Sequence, residues 1–417
     1  MNVFLYTFGC KANQYDTEVV RQHLEDAGCR VVGLPEDADA AVVNSCTVTH
    51  VGEAKLRTLV RRVARRNPGI RTVVMGCAAA VDDGRIARLP NVAGVVPGAD
   101  GGAVARALSL PEPRTAGGGV RRFAALSRAL LKIQDGCDEH CTFCATVLAR
   151  GASRSRPPEE LVREAGGLAT AHAEIVLTGV HIGAYGRDLG SGWSLSRLVA
   201  LLVERVSGVR FRLTSIEATE LDDALVGLMA SAPERVAPHL HAPLQSGSDR
   251  LLKRMGRHWY TAATYRSNVE RLASCVSPLG LGADLIVGFP GEAEQDHRAT
   301  VRMVEALPFT YLHVFPYSTR RGTAAARLGP PAASAAARAR SAELRALGEV
   351  KAEAHRRARA GGRADLVLEA RRGGEREALS EDYLSAVVPA DAPWVLGRSR
   401  VSARLVARGA GLEAECA

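Results

Sequence analysis

Three cysteines spaced CxxxCxxC, Cys137, Cys141 and Cys144, follow directly on the apolar stretch Ala129-Leu-Leu-Lys-Ile-Gln134. Three thiolates can hold three irons of a 4Fe-4S cube and leave the fourth iron open to a small molecule, whereas a cube that only carries electrons normally takes four cysteines. A zinc site also accepts three cysteines and a distant fourth ligand. Zinc motifs usually come as CxxC pairs, however, so this spacing favours the cluster.

A second set of cysteines is less local. Val3-Phe-Leu-Tyr-Thr-Phe-Gly-Cys10, Ala40-Ala-Val-Val-Asn-Ser-Cys46 and Arg71-Thr-Val-Val-Met-Gly-Cys77 are short apolar runs that each end in cysteine, and each is followed by a helical pattern. Strands alternating with helices imply a parallel sheet whose carboxyl ends share one edge, so three cysteines at equivalent positions can converge there. One cysteine at a strand end is ordinarily a core residue. Three, 36 and 31 residues apart, point to a second cluster site on Cys10, Cys46 and Cys77. Cys29, at the end of the first helix, Cys275, on a helical pattern, and Cys416, next to last, fit neither set and read as incidental.

Beyond the low-complexity linker Pro111–Gly119, six more apolar runs alternate with helical patterns: 129–134, 174–182, 211–217, 239–245, 280–290 and 311–318. This α/β alternation predicts a partial TIM-like (β/α)6 barrel, whose functional groups lie on the loops after the strands. The polar and glycine-bearing positions fall there, among them Thr178, Gly179, Glu217, Gln245 and Gly288. Glycine lets backbone approach a ligand closely, and Glu217 and Gln245 offer hydrogen bonds to hydroxyl and amino groups. Residues 361–417 read as short strands, 364–370, 383–390, 394–407 and 411–416, of a small β barrel.

Composition excludes more than it specifies. Apolar residues make up 47% of the 417, enough for two or three domains with real cores, yet no run nears the ~20 apolar residues of a membrane span. The first ten residues lack the basic start and long apolar core of a secretory signal. Nine cysteines, an odd number, argue against a disulfide framework, so the expected setting is a reducing cytoplasm. The formal charge of +9 is a modest pointer to nucleic acid, and residues 361–417 are slightly acidic.

With these segments in order, the chain resembles the radical S-adenosylmethionine (SAM) methylthiotransferases over nearly its whole length. The resemblance implies three domains: 1–110 with an auxiliary 4Fe-4S cluster on Cys10, Cys46 and Cys77; 123–353, the radical SAM domain, with a second cluster on Cys137, Cys141 and Cys144; and 354–417, an RNA-binding TRAM domain. It implies SAM on the open iron of the second cluster, with Thr178, Gly179, Glu217, Gln245 and Gly288 at the cofactor. Thr7-Phe-Gly-Cys-Lys-Ala-Asn-Gln-Tyr-Asp16 and Lys132-Ile-Gln-Asp-Gly-Cys137 are similar to the branch acting on N6-threonylcarbamoyladenosine at position 37 of tRNA. Two stretches depart from the family pattern. Ala145-Thr-Val-Leu-Ala149 stands where Ile-Ile-Pro-Tyr-Ala is common, and His241-Ala-Pro243 replaces His-Leu-Pro.

The expected partners are a tRNA anticodon stem-loop and an electron donor such as flavodoxin or ferredoxin, with no membrane, and the protein itself is expected to be a monomer. Arg150, Arg154 and Arg156 are the candidates for tRNA phosphate, the SAM carboxylate or the carboxylate of the threonylcarbamoyl group. The alternatives are the same chemistry on isopentenyladenosine tRNA or on a ribosomal-protein aspartate, and, from a different class, a non-catalytic Fe–S or zinc protein that only binds RNA.

Overall fold

β-Branched runs covered on both faces build the first sheet. The computed structural model describes all residues except 48–49, 112–118, 124–125, 191, 373–374, 390–391 and 417. Strands β1 (Asn2–Thr7), β2 (Arg30–Val32), β3 (Ala40–Ser45), β4 (Arg71–Gly76) and β5 (Val92–Pro97) lie parallel in the order β2-β1-β3-β4-β5. Every residue of β3 is buried, as a parallel strand sandwiched by helices must be. Ala41 and Val43 share one core with Leu56, Val60 and Val63 of α2 (His50–Arg66). Ala40 and Val42 share another with Val20 and Leu24 of α1 (Lys11–Asp26) and Val104 of α3 (Gly101–Ala107). Cys29 is buried in that second core. The linker expected at 111–119 falls almost wholly on 112–118, outside the described residues.

The chain divides into two compact units, each built from three segments. The first takes Met1–Arg121, Gln134–Arg154 and Ser318–Ala326, so the CxxxCxxC loop belongs with the N-terminal sheet. Its third segment is tied in by Arg320, which donates to Thr47 Oγ1 (3.1 Å) and to Glu53, and by Arg321, which pairs with Asp83 at 2.6 Å.

The second unit takes Arg122–Ile133, Ser155–Tyr317 and Arg327–Ala417. Its centre is six parallel strands, β6 (Ala129–Lys132), β7 (Glu174–Thr178), β8 (Arg210–Leu213), β9 (His239–His241), β10 (Gly280–Val287) and β11 (Tyr311–Pro316). They form the ladders β8-β7-β6 and β9-β10-β11, joined by a parallel bridge between Ser215 and His241. Strictly sequential order with a helix between strands is a TIM-like barrel left open. The helices start where side chains cap them: Ser194, Asp222, Ser248 and Thr261 each accept a bond from a first-turn N–H. The strands are shorter than the apolar runs predict because the runs continue into the loops at their carboxyl ends.

Residues beyond the long helix Ser334–Arg359 form a closed five-stranded barrel, β12 (Arg363–Arg372), β13 (Glu375–Leu379), β14 (Ser385–Pro389), β15 (Arg400–Arg408) and β16 (Gly411–Cys416), filled by Leu366, Leu368, Val388, Val401 and Leu405. Strand β13 is an addition to the sequence reading: three of the five residues of Glu375-Arg-Glu-Ala-Leu379 are charged, and it carries no strong apolar alternation. A buried ionic group joins this barrel to the half-barrel. Glu174 accepts from Arg210 (2.7 Å) and Arg212 (2.8 Å), and those guanidinium groups donate to the carbonyls of Asp365, Ser380 and Glu381. The Tyr383 ring stacks on His239 at 4.3 Å, and a Cβ on Gly280 would sit 2.1 Å from the Asp382 carbonyl oxygen. No helix among the described residues is long and apolar enough to cross a membrane.

Candidate functional site

Strand register brings the first three cysteines together. Thr7 pairs with Asn44 and Asn44 with Met75, so Cys10, Cys46 and Cys77 lie two or three residues past one level of the sheet, at its carboxyl edge. Cys10 is the N-cap of α1, and Asn13 sits one turn into that helix, fully buried. The Asn13 amide nitrogen donates to Phe8 O (2.8 Å) and Ser45 O (3.0 Å), the backbone just ahead of Cys10 and Cys46. Its oxygen is thereby turned toward the thiols, 4.0 Å from Cys10 Sγ and 3.7 Å from Cys77 Sγ. Gly9 (φ +103°) lets the chain pass Cys46: a Cβ there would lie 2.9 Å from Cys46 Cβ. Burial pushes the Cys77 thiol up to about 11, against the pull of the Arg150 guanidinium.

The second triad lies on a loop closed by its own backbone. Cys137 N–H donates to Gly151 O and Cys144 N–H to Cys141 O, both at 3.1 Å. Gly136 (φ +73°) lies against Ala152 O, 1.9 Å from where a Cβ would stand, so only glycine fits. The N–H groups of Glu139 and Thr146 point at Cys137 Sγ and Cys144 Sγ, each at 3.4 Å. Backbone donors aimed at thiolate sulfur are what an iron–sulfur site needs, and three soft sulfur ligands per site suit such a cluster. None of the nine cysteines is in a disulfide.

Arg150 ends the short helix Thr146–Arg150 that follows Cys144. Its side chain is only 8% exposed and every nitrogen is engaged: Nε to Cys77 Sγ (3.2 Å), Nη1 to both Asp135 oxygens (2.9 and 3.0 Å), Nη2 to Asn13 Oδ1 (2.6 Å) and Asp16 (2.8 Å). Desolvation works against this cation, yet Asp16, Cys77 and Asp135 hold it well above its ordinary range. Arg150 is therefore not open to a substrate carboxylate. Arg156 is paired with Glu164 at 2.7 Å, and the exposed Arg154 turns back onto the carbonyls of Ala152 and Arg150. A cavity of about 400 Å³ in the same unit is walled by Thr47, Ala78 and Ala145, the residues following Cys46, Cys77 and Cys144, together with Leu148, Arg320 and Gly322. Buried Arg320 keeps Nε and Nη1 without a partner among the described residues.

In the second unit the expected cofactor positions all fall at or just beyond carboxyl ends of half-barrel strands. Thr178 closes β7 and Gly179 follows; Glu217 lies four residues past β8, Gln245 four past β9, and Gly288 one past β10. Glu217 pairs with Arg257 while its Oε2 is buried with no partner among the described residues, an acceptor suited to a ribose hydroxyl. Burial raises the Glu217 carboxyl despite that arginine. Gln245 holds φ +61°, a left-handed backbone rare outside glycine. Gly288 is needed for packing as well, since a Cβ would meet Ala337 Cβ at 2.8 Å. On β9–β11, Asp284 accepts from His241 (3.0 Å) and His313 (3.2 Å). Burial disfavours its charge, but the two imidazoles hold it well below the carboxylate range.

Asn13, Asp16 and His313 were not singled out from sequence. The signal for Asn13 was its place, one helical turn after a strand-end cysteine.

Two family descriptions match separate parts of the chain: Uncharacterized protein family UPF0004 over residues 2–98 and Radical SAM superfamily over 131–304. The chain is 38% identical over 343 residues to the Threonylcarbamoyladenosine tRNA methylthiotransferase MtaB of Bacillus subtilis, covering 78% of this chain and 75% of that one. The protein of the same name from Thermotoga maritima is 37% identical over 343 residues, at 78% and 77% coverage. A tRNA-2-methylthio-N(6)-dimethylallyladenosine synthase from Jannaschia sp. is 32% identical over 415 residues, covering 92% and 87%. Among solved structures, the radical SAM methyltransferase TsrM of Kitasatospora setae superposes with a TM-score of 0.55 at 16% identity, covering 75% of this chain and 72% of that one, a likeness of fold alone. Two cysteine triads, an open six-stranded barrel and this identity over three quarters of a relative's length carry one conclusion: the chain belongs to the radical SAM methylthiotransferase family.

Proposed function

We propose that the protein methylthiolates carbon 2 of N6-threonylcarbamoyladenosine at position 37 of tRNA, using two 4Fe-4S clusters and SAM. The observation that carries this reading is the convergence of two separate cysteine triads in one compact unit, with a cavity walled by the residues that follow one ligand of the second triad and two of the first. Two of the relatives named above carry the threonylcarbamoyladenosine name, at 38% and 37% identity, against 32% for the dimethylallyladenosine relative. That last relative covers more of the chain, and its activity is the second reading.

Carbon 2 of adenine carries no acidic proton, so the loaded clusters and SAM supply radical chemistry that acid–base groups cannot. The protein's part is placement. Cys10, Cys46 and Cys77 hold the auxiliary cluster, and Cys137, Cys141 and Cys144 the one that binds SAM. Thr178, Gly179, Glu217, Gln245 and Gly288 serve the SAM amino acid and ribose. The cavity beside Thr47, Ala78 and Ala145 receives the nucleoside, its volume falling in the usual range for ligand sites. Arg320, with N–H groups to spare, takes over the carboxylate contact that Arg150 cannot make. Base 37 is single-stranded in the anticodon loop and is presented without opening a duplex.

The domains are 1–110, 123–353 and 354–417, the last a TRAM module binding the stem-loop. The enzyme works in the cytoplasm as a monomer, reduced by flavodoxin or ferredoxin. Purified protein with SAM and a strong reductant is tested on threonylcarbamoylated tRNA, isopentenylated tRNA and ribosomal protein, with product nucleosides read by mass spectrometry. Methylthio product on the first alone is expected; product on another substrate in preference overturns the reading.

A further inference from the structure

We propose that Arg150, seated on Asn13, is a positioning residue that sets the electron affinity of the Cys10/Cys46/Cys77 centre and locks it in register with the Cys137–Cys144 loop. The inference rests on reading those three cysteines as cluster ligands.

A guanidinium has five N–H donors, and all five are spent here: one on Cys77 Sγ, two on Asp135, one on Asn13 and one on Asp16. Two carboxylates already surround the single positive charge, so neutralising buried acids does not by itself require the contact to sulfur. What the fork adds is direction. Asp135 and Asn13 hold the plane of the guanidinium from two sides, and Nε–H is left aimed at Cys77. Asn13 is itself immobile, because its amide nitrogen is fixed by Phe8 O and Ser45 O. An N–H donated to a cluster thiolate withdraws electron density and makes the cluster easier to reduce. Lysine carries the charge but lacks the planar fork, so it cannot satisfy Cys77 and Asp135 together.

Arg150 also joins two pieces of chain. It lies six residues after Cys144, and its partner Asp135 lies two before Cys137, so the second loop is bolted to Cys77 from both of its ends by one side chain. A purely structural arginine would hold the loop but leave the electronic state of the N-terminal centre unchanged.

The test uses full-length protein with Cys137, Cys141 and Cys144 replaced by Ala, which leaves only the N-terminal centre to be loaded anaerobically. Redox titration followed by electron paramagnetic resonance then compares Arg150, Arg150→Lys and Arg150→Gln. We expect lower midpoint potentials in both variants, the decrease larger in Arg150→Gln, with iron content retained in Arg150→Lys. An unchanged potential in Arg150→Lys would overturn the proposal, whatever happens to iron in Arg150→Gln. A parent triple variant that takes up no iron would instead overturn the cluster assignment itself.

Discussion

Replacing Glu174 by Gln is expected to cost about 3 kcal/mol of stability, and the loss should be felt at the C-terminal barrel. Glu174 is fully buried between Arg210 and Arg212, with Arg128 at 3.7 Å. Burial opposes its charge, yet the arginines bring the carboxyl from an ordinary 4.5 down to about 2. A shift of that size is worth roughly 3 kcal/mol at 1.36 kcal/mol per unit, and removing one partner of a buried ion pair typically costs about 3–5 kcal/mol. Desolvation draws Arg210 below its own ordinary range, so the attraction does not fully offset the burial of that cation and the lower figure is the one to expect. A depressed acid contributes stability that is complete above its unfolded value near 4.5 and is lost as pH falls toward 2. Urea unfolding of the apoprotein at pH 7 and at steps from pH 5 to pH 2.5 measures both effects. Limited proteolysis should cut within 361–417 first in Glu174→Gln, because Arg210 and Arg212 hold that barrel by its carbonyls. A loss under 1 kcal/mol, or an acid limb as steep in the variant as in the parent, would refute the reasoning.

Loaded anaerobically, the protein should hold about eight irons per chain, two cubes of four, and about half that with Cys10, Cys46 and Cys77 all replaced by Ala; iron analysis decides, and stoichiometric zinc would contradict it. Cys141→Ala should abolish reductive cleavage of SAM, whereas Cys46→Ala should keep cleavage and lose methylthio transfer, as read by chromatography of 5′-deoxyadenosine beside product nucleoside. Gly76→Ala should destabilise the N-terminal sheet by more than 1 kcal/mol in chemical unfolding, since φ is +91° and a Cβ would lie 2.1 Å from Asn44 Oδ1. Arg320→Gln should narrow the preference for threonylcarbamoylated over unmodified stem-loop in a binding titration, and an unchanged ratio would remove Arg320 from recognition.

The sheet edge carrying Cys10, Cys46 and Cys77 was legible because three buried strands repeat one apolar run with one terminal residue type. The half-barrel was legible for a similar reason: Glu174–Thr178 and Gly280–Val287 are uninterrupted strands between periodic helices. Strand β2 is three residues long and β5 contains Gly94, so neither rises above loop composition. The role of Arg150 was hidden because its partners, Asn13, Asp16 and Cys77, lie 73 to 137 residues away in sequence. A local reading sees an arginine beside glycine and serines and takes it for a loop cation. Glu174, Arg210 and Arg212 were hidden differently, since charges inside strands read as solvent-facing until a second barrel covers them.

Because the first unit is assembled from three separated stretches of chain, it has a timetable as well as a geometry. Cys10, Cys46 and Cys77 leave the ribosome long before Arg150, and Arg150 before Arg320, whose bond to Thr47 ties down the last segment. At about 5–20 residues per second the 310 residues from Cys10 to Arg320 take roughly 15–60 s to make. For the first 140 of those residues the N-terminal thiols lack their guanidinium, and to the end of the interval they lack the wall that Arg320 closes, so the site reaches its full surroundings only late in synthesis.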